Sequence, residues 1–464
     1  MKMWSGRIRQ PLDGEFEKWQ RSFPFDKRLL GEELAASRAH ALALQKLGVL
    51  SATEYASVLV GLEKIARNPA DLMHDEEAED IHHFVEKHLV AFIGDTGYKL
   101  HSGRSRNEQI ATDLRLYVRS TASTIRGLTL ELAEVFTNRA GRADEAAMPA
   151  YTHLQRAEPV LVAHWLLAYA EMFLRDASRL SSCMERLDAC PLGSGAIAGA
   201  TLPLDREAVA HELGFAAPTA NSIDATSDRD FLLEFVQVLS IFGVHLSRWA
   251  EEFTLFATQE YGFVRLPERY STGSSAMPQK QNPDSLELVR GKSARLIGAA
   301  TTLLTAMKGL PLAYNKDMQE TQEPVFDAAD TALGMLRVAL GFMREVEFDL
   351  ERMQAAAQSS FMNAMAAATY LVLKGVPFRH AHEFVASAVR VCLARACELQ
   401  DLSLLELKGI SPKFEDDFYS HLTLQSVLNC HDVAGGTAPA QVQRALEQVR
   451  RRISALKGVA HASA

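Results

Sequence analysis

Several long stretches of this chain repeat apolar residues at helical spacing without a helix-breaking residue. Residues 160–190 contain neither glycine nor proline. Their apolar side chains recur at positions 163, 166, 167, 170, 173, 174, 177, 180, 184 and 187, which places them on one face of an α-helix. At the usual rise per residue this stretch predicts a helix about 45 Å long.

Three further stretches extend the same pattern. Phe231–Trp249 is apolar nearly all round, which is typical of a helix surrounded by other helices. Ser227 and Asp230 have the spacing of a capping box before it. A third run follows from Pro283 to Met307, and a fourth runs from Val325 to Leu373 without proline. Because alternating strand patterns are scarce, the prediction is an all-α protein built as a bundle of long antiparallel helices.

The pattern also predicts domains and assembly. The boundaries favour an N-terminal helical domain at 1–103, a central long-helix bundle at 104–356 and a C-terminal domain of smaller helices at 357–464. A long helix that is apolar on every side needs neighbours on every side, and exposed apolar surface costs about 25 cal/mol per Å². We therefore expect several copies of the chain to associate through the bundle.

Composition and charge exclude several classes of protein. Apolar residues make up 47% and charged residues 23% of the chain, as in ordinary soluble proteins. The net charge of −9 argues against a nucleic-acid partner. The most apolar window, Phe231–Trp249, is interrupted by Glu234 and Arg248, so no membrane span is expected. The N-terminus lacks the apolar core of a secretory signal, and the five cysteines lack C-x-x-C spacing, which together favour the cytoplasm.

Three polar segments interrupt the helical pattern at 101–108, 151–156 and 271–284. Each is rich in Ser, Thr, Asn, His or Arg and stands just before a long helix. The simplest alternative is that all three are solvated connections. Because ends of bundled helices can converge, and because loops on rigid scaffolds often carry sites, the interpretation that we favour is a shared functional site.

The third segment has the most specific chemistry. Hydroxyl-bearing Ser274 follows Gly273, and Lys280 lies a few residues on. Asn282 and Pro283 read as the N-cap and first residue of a helix, so Lys280 and the helix start predict a receptor for a carboxylate. A serine is a weak base unless amides or cations stabilise its alkoxide, which this loop could supply. The segment therefore suggests proton chemistry on a small acid.

Other candidates have competing interpretations. His153 is either a satisfied core histidine or a general acid or base placed ahead of a proline-started helix. Glu287 is either a surface charge or the partner that orients a histidine. Residues 193–199 have the wrong glycine spacing for a dinucleotide motif. The histidine pairs at 82–83 and 380–382 lack the third-ligand context of a metal site, so no metal is expected.

At this point the residues resemble a known family. Gly273–Pro283 is similar to the signature loop of the fumarase/aspartase superfamily. Within that superfamily the chain resembles the argininosuccinate lyases from end to end, rather than the adenylosuccinate lyases. The supporting stretches are Trp4–Arg7, Glu79–His82, Lys99–Asn107, Tyr151–Gln155, Leu192–Gly195, Gly309–Asp317, Lys374–Arg379 and Gly435–Thr437.

The resemblance implies an assembly and a reaction. Its members are homotetramers with a central 20-helix bundle, and each active site draws on three subunits. The reaction is the reversible cleavage of argininosuccinate to arginine and fumarate, without a metal or organic cofactor. A base removes a proton from the carbon next to a carboxylate, and an acid protonates the departing guanidinium nitrogen.

The resemblance also implies a role for individual residues. Ser274 would be the base, Lys280 and Asn282 would hold the carboxylate, and His153, paired with Glu287, would serve the acid side. The expected substrate contacts are Ser22, Arg104, Ser105, Arg106, Asn107, Thr152, Tyr314, Gln319 and Gln322.

Two departures from the family keep alternatives open. Members usually have a lysine where Gln322 stands and an acidic residue where Thr321 stands. The segment Met365–Thr369 also replaces a turn that is commonly rich in Thr and Asp. One alternative is therefore a sister lyase that releases fumarate from another succinyl adduct. The other is a non-catalytic structural protein of the crystallin type, against which the intact Ser274 and His153 argue.

Overall fold

The computed structural model describes residues 10–72 and 74–462, with side chains at 10–70 and 74–458. The Trp4–Arg7 motif lies outside them. The chain forms two compact units, each made of separate stretches of sequence. Unit 1 comprises residues up to Ile125, Arg179–Ile241 and Ala294–Ala332, and unit 2 comprises Arg126–Ser178, Phe242–Ser293 and the residues from Leu333 onward.

The fold is mostly helical, as the sequence predicts. The α-helices are α1 (Gly14–Gln20), α2 (Phe23–Asp26), α3 (Leu30–Lys46), α4 (Ala52–Arg67), α5 (Pro69–Leu72), α6 (Ile81–Ile93), α7 (Thr96–Lys99), α8 (Arg106–Arg142), α9 (Val162–Arg186), α10 (Arg206–Glu212), α11 (Ser222–Ser227), α12 (Asp230–Phe256), α13 (Asp284–Met307), α14 (Gln322–Glu345), α15 (Leu350–Ala356), α16 (Ala364–Leu373), α17 (Phe378–Arg395), α18 (Leu404–Ile410), α19 (Phe418–His421), α20 (Leu424–Asn429) and α21 (Pro439–Ala462). Short 3-10 helices occur at Lys27–Leu29, Glu268–Tyr270, Lys316–Thr321 and Leu399–Asp401.

The strands are few and pair two by two. They are β1 (Ala147–Thr152), β2 (Gln155–Leu161), β3 (Ala189–Cys190), β4 (Ala217–Pro218), β5 (Val264–Arg265), β6 (Thr272–Gly273), β7 (Gln281–Asn282) and β8 (Glu347–Phe348). β1 pairs with β2, β5 with β8 and β6 with β7, all antiparallel, whereas β3 and β4 are parallel. Two of these pairs, β1–β2 and β6–β7, carry the segments that the sequence singles out as functional.

The predicted long helices are present, with corrected ends. α9, α12 and α13 match the stretches at 160–190, 231–249 and 283–307. The fourth stretch is not one helix but α14, β8, α15 and α16 in succession. The predicted capping box is wrong, since Ser227 is the last residue of α11 and Asp228 accepts the backbone N–H of Asp230 at 2.7 Å instead. The short helix α11 therefore ends at the position where the sequence suggested the cap of α12.

Aromatic side chains form the core of unit 2. Phe253 of α12 stacks on Trp165 of α9, with 5.2 Å between ring centroids. Trp249 is fully buried and meets the edge of Phe342 of α14 at 5.6 Å. Phe136 of α8 lies 6.4 Å from Phe253. Four long helices therefore pack around one set of rings, as the apolar pattern predicts for a bundle.

Two smaller hydrophobic clusters lie near the ends of the chain. In unit 1 the cluster runs from Phe23 to Leu100, with Phe23 stacked on Phe84 at 5.0 Å. In unit 2 a second cluster runs from Ala367 to Leu422. Both lie within the predicted terminal domains, but the two boundaries between the three predicted domains remain a prediction.

Among the described residues, one helix, α12, is long and apolar enough to cross a membrane by length and composition alone. Half of its most apolar 18-residue window is buried inside the protein. Leu239, Phe242 and Leu246 on this helix are fully buried. This burial is expected of a core helix in a soluble protein, which passes the same test.

Candidate active site

His153 lies at the tip of a β-hairpin. β1 and β2 pair antiparallel as far as Thr152 opposite Gln155, so His153 and Leu154 form a two-residue turn. Both have positive φ, 55° and 58°, as this kind of turn requires, although neither is a glycine. Such backbone strain persists where the surroundings enforce it, often at functional sites. The tip exposes both His153 and Thr152.

The helix that the sequence places directly after His153 begins later than predicted. Pro159 lies in β2 opposite Pro149, and α9 starts at Val162. A proline is tolerated here because the hairpin has an edge where its missing N–H is not needed. His153 is therefore positioned by the hairpin and not by the end of a helix.

Ser274 lies in a seven-residue loop that closes a second hairpin. Thr272 pairs with Asn282 and Gly273 with Gln281, so residues 274–280 form the loop. The Oγ of Ser274 accepts the backbone N–H of Ala276 at 3.2 Å and that of Met277 at 3.1 Å. These two donors would stabilise negative charge on this oxygen. The sequence suggested that amides would support Ser274, and the structure supplies two.

The base of this loop is held by side chains. Gln281 Nε2 donates to the Oγ of Ser271 at 2.6 Å, and Thr272 Oγ1 donates to a carboxylate oxygen of Asp284 at 2.5 Å. Ser285 Oγ donates to the carbonyl oxygen of Tyr270 at 2.6 Å. The loop is therefore fixed at both ends, while the side chain of Lys280 at its end is exposed.

The start of α13 differs by one residue from the prediction. Asn282 belongs to β7, and the helix begins at Asp284. The carbonyl of Pro283 accepts the first helical N–H groups, from Leu286 and Glu287, so Pro283 itself is the N-cap. Glu287 is exposed one turn into α13. Within the part of the chain that the structure describes, no hydrogen bond joins Glu287 to His153, and their pairing stays a prediction.

The remaining candidates belong to unit 1, where segments 101–106 and 195–201 line an open cavity of about 600 Å³. Arg104 donates from Nη1 to the Oγ of Ser37 at 3.0 Å. Arg106 donates from Nη1 to Asp80 at 2.9 Å. Ser105 caps α8, since its Oγ accepts the N–H of Asn107 at 3.3 Å. The segment is thus ordered by its own contacts, and both arginines already have protein partners.

Ser22 lies beside a buried acidic residue. Its neighbour Asp26 is almost fully buried and accepts the N–H of Ile81 at 3.1 Å. Burial, with a smaller contribution from the charge of Asp80, raises the pKa of Asp26 from 3.8 to about 7. A hydrogen bond from Ser22 and the charge of His82 oppose that rise. Ser22 therefore stands next to one buried carboxyl group, whereas Asp80 is half-buried and already paired with Arg106.

Tyr314, Gln319 and Gln322 contribute to the same unit. Burial raises the pKa of Tyr314, and the neighbouring charge of Arg229 opposes the rise. Arg229 is fully buried, which lowers its pKa to about 10. Gln319 Nε2 donates to the carbonyl of Gln20 at 3.2 Å, two residues before Ser22. Gln322 is buried, and its Oε1 has no hydrogen-bond partner among the described residues.

A buried cluster of ionisable side chains lies next to Arg104. Glu33 lies 2.8 Å from His82 and 3.9 Å from Arg104. Burial raises the pKa of Glu33, but His82 and Arg104 outweigh it and hold that pKa at about 2. Burial raises the pKa of the adjacent Asp113 well above its usual range. Glu33, His82 and Asp113 are spaced closely enough to ligate a cation, but Glu33 is already paired with His82, and Arg104 adds a second positive charge nearby.

The structure thus groups the predicted residues in two sets. Unit 2 holds Thr152, His153, Ser274, Lys280, Asn282 and Glu287, and unit 1 holds Ser22, Arg104, Ser105, Arg106, Asn107, Tyr314, Gln319 and Gln322. The sequence pattern did not single out Asp26, Asp80 or Arg229. Asp80 looked like one more charge in an acidic helix start, and nothing in the local pattern of Asp26 or Arg229 indicated burial.

Known proteins share this chain's sequence along its whole length. A lyase family model matches residues 6–298, and an argininosuccinate lyase C-terminal model matches residues 361–429. The argininosuccinate lyase of Acidobacterium capsulatum is 61% identical over 97% of this chain and 95% of its own length. That of Koribacter versatilis is 58% identical over 100% of both chains.

Solved structures share the fold at low identity. EDDS lyase in complex with formate has a TM-score of 0.86 and 24% identity, covering 98% of this chain and 93% of its own. A class II fumarase from Schistosoma mansoni has a TM-score of 0.73 and 16% identity, covering 83% and 88%. These likenesses show that the chain shares the fold of these two enzymes. Because identity to two argininosuccinate lyases exceeds one half from end to end, the chain belongs to the argininosuccinate lyase family of carbon–nitrogen lyases.

Proposed function

We propose that this enzyme of arginine biosynthesis cleaves argininosuccinate reversibly to arginine and fumarate, with Ser274 as the base. The observation that carries the proposal is the pair of backbone N–H groups that donate to the Oγ of Ser274. An ordinary serine hydroxyl is a poor base. Two donors aimed at the oxygen lower the free energy of its alkoxide.

The elimination balances with groups from the two hairpins. Ser274 removes the proton from the carbon next to a carboxylate, and the resulting doubly charged acid is held by Lys280 and Asn282. The carbon–nitrogen bond on the neighbouring carbon then breaks, which forms the double bond of fumarate. A proton from His153, oriented by Glu287, reaches the departing guanidinium nitrogen directly or through a water.

Unit 1 supplies the binding surface in this proposal. Asp26 complements the guanidinium of the arginine half, because a bound cation would offset the cost of burying its carboxylate beside the charge of Asp80. The proposal adds nine further substrate contacts, of which Thr152 lies at the tip of the first hairpin and the other eight lie in unit 1. They are Ser22, Arg104, Ser105, Arg106, Asn107, Thr152, Tyr314, Gln319 and Gln322.

A homotetramer would bring the two sets of residues together from different copies of the chain. Several large apolar side chains on α12 and α13 are exposed in the single chain. They are Ile241, Val244, Leu288, Ile297 and Leu304. Covering these side chains with other copies removes that surface from water. We place the assembled enzyme in the cytoplasm, where its thiols stay reduced.

The test follows fumarate by its ultraviolet absorbance after argininosuccinate is added. Ser274→Ala is expected to lower kcat by about 10²–10⁴-fold, because it removes the base. Ser275→Ala is the matched control, since it deletes a neighbouring exposed hydroxyl in the same loop. A Ser274→Ala enzyme that keeps kcat within about threefold of wild type would contradict the assignment of the base.

A sister lyase is the second candidate function, and Gln322 favours it. An amide stands where argininosuccinate lyases usually carry a lysine, which leaves one cation fewer for a substrate carboxylate. If wild-type protein releases no fumarate from argininosuccinate but does so from another succinyl adduct, this second function is the correct one. Loss of all lyase activity with every such adduct would indicate a structural protein.

A further inference from the structure

The side chain of Glu108 joins two segments that are far apart in sequence. It is fully buried in the first turn of α8. One carboxylate oxygen accepts the backbone N–H of Ser105 at 2.9 Å, and the other accepts the backbone N–H of Gly195, also at 2.9 Å. Charge-assisted bonds of this kind are about twice as strong as neutral ones. One side chain thus ties residue 105 to residue 195.

The two tied segments are the two walls of the unit 1 cavity. One wall is segment 101–106, and the other is segment 195–201. One further hydrogen bond near the walls is weak: Nδ2 of Asn107, the residue after the first wall, lies 3.5 Å from the carbonyl of Ala196. Glu108 therefore supplies the stronger hydrogen-bonded tie between the two walls.

Segment 195–201, the second wall, is fixed by contacts at its N-terminal end. Gly195 has a φ of +59°, and a Cβ there would lie 2.6 Å from the carbonyl oxygen of Gly199, so the chain folds back tightly on itself. Arg206 holds the outer side through a bond from Nη2 to the Oγ of Ser194 at 3.1 Å. Residues 196–198, between these anchors, are exposed. Glu108 is the anchor on the side of the cavity.

We propose that Glu108 is a positioning residue of the substrate site, which sets segment 195–201 against segment 101–107 so that both contact the substrate. The proposal rests on the function assigned above. Two N–H groups need two acceptor oxygens, and only a carboxylate offers both in this place. A glutamine at this position would turn its NH₂ group toward one of the two backbone N–H groups. That wall would then lose its hydrogen bond to residue 108, and its N–H group would be left without an acceptor.

The experiment compares wild type with Glu108→Gln in steady-state cleavage of argininosuccinate. We expect KM to rise about tenfold while kcat stays within about threefold, because the chemical groups on the hairpins are untouched. Glu406→Gln is the matched control. Glu406 also caps a helix through Ser403, but it is only half-buried and belongs to unit 2, so its substitution is expected to leave KM unchanged.

Each outcome decides the proposal. An unchanged KM in folded Glu108→Gln overturns it, and so does a fall in kcat alone, which would report a structural role. If Glu108→Gln does not fold, hydrogen exchange on the wild-type enzyme decides instead. Saturating fumarate with arginine should slow exchange in residues 195–201 as well as 103–107, and unchanged exchange at 195–201 overturns the proposal. Inactive wild type with argininosuccinate would reject the assigned function.

Discussion

Replacing Asp26 by asparagine is expected to make the protein more stable and its substrate binding weaker. Asp26 is almost fully buried beside Asp80, and both effects raise its pKa to about 7, burial more than charge. Asparagine has the same shape and keeps an oxygen for the N–H of Ile81. It removes a buried carboxylate whose cost in the free enzyme Ser22, His82 and the N–H of Ile81 offset only in part.

The size and sign of the effect follow from the two pKa values. The ordinary value of 3.8 applies to the unfolded chain, and the folded value is about 7. The folded protein therefore binds this proton more tightly, and the stability that the neutral form contributes is complete below pH 4. It is lost progressively as the pH rises from about 4 to about 7. With about 1.4 kcal/mol per pKa unit, the full loss is about 4 kcal/mol.

The assay is urea unfolding of wild type and Asp26→Asn at pH 5.5 and pH 8.5, followed by circular dichroism. We expect the advantage of the variant to grow by about 2 kcal/mol between these two pH values, since the folded carboxyl ionises within that interval. Asp205→Asn serves as control, because Asp205 is an exposed helix cap at which asparagine works equally well. At pH 8 the KM of Asp26→Asn for argininosuccinate should rise.

Two results would refute this reasoning. If Asp26→Asn is less stable than wild type at pH 8.5, the carboxylate is satisfied in the folded protein and its burial has no net cost. If the difference in stability is the same at both pH values, ionisation of Asp26 is not its cause. A variant with unchanged KM would remove Asp26 from the guanidinium site.

Two predictions concern stability alone. Trp249→Ala should lower the free energy of unfolding by about 3–5 kcal/mol, because it empties the centre of the aromatic core. Trp249→Phe should cost much less, since it keeps a ring and deletes a buried N–H that has no partner among the described residues. Equal losses for the two variants in urea unfolding would contradict the packing described. Ala396→Gly should stabilise by about 1 kcal/mol, because Ala396 ends α17 at a φ of +53°, and a thermal midpoint below that of wild type would count against it.

The helical core was predictable because its signal is local and repeated. Each turn of α9, α12 and α13 shows an apolar face, so errors at single positions do not change the prediction. The ends of these helices were less predictable. Pro159 and Pro283 both looked like first residues of helices, but one lies in β2 and the other caps α13. A proline indicates that one element ends, but it does not indicate whether a strand, a cap or a helix follows.

The polar segments were also found from sequence, since their composition differs sharply from the helices around them. What they contact was not predictable. Glu108 ends the first polar segment, but the sequence does not show that its second oxygen binds Gly195, 87 residues away. Nothing in the sequence around Asp26 indicates that it is buried. Burial and distant partners are properties of the assembled fold.

Both proposed proton-transfer groups lie on hairpins and not on the helices that dominate the chain. His153 occupies a two-residue turn with unfavourable backbone angles, and Ser274 occupies a loop fixed at its base by Gln281 and Thr272. A short hairpin fixes its tip by pairing on both sides, whereas the end of a helix frays. Strand pairing therefore sets the geometry of the chemistry, and the long helices provide the stability and the surface through which copies of the chain would assemble.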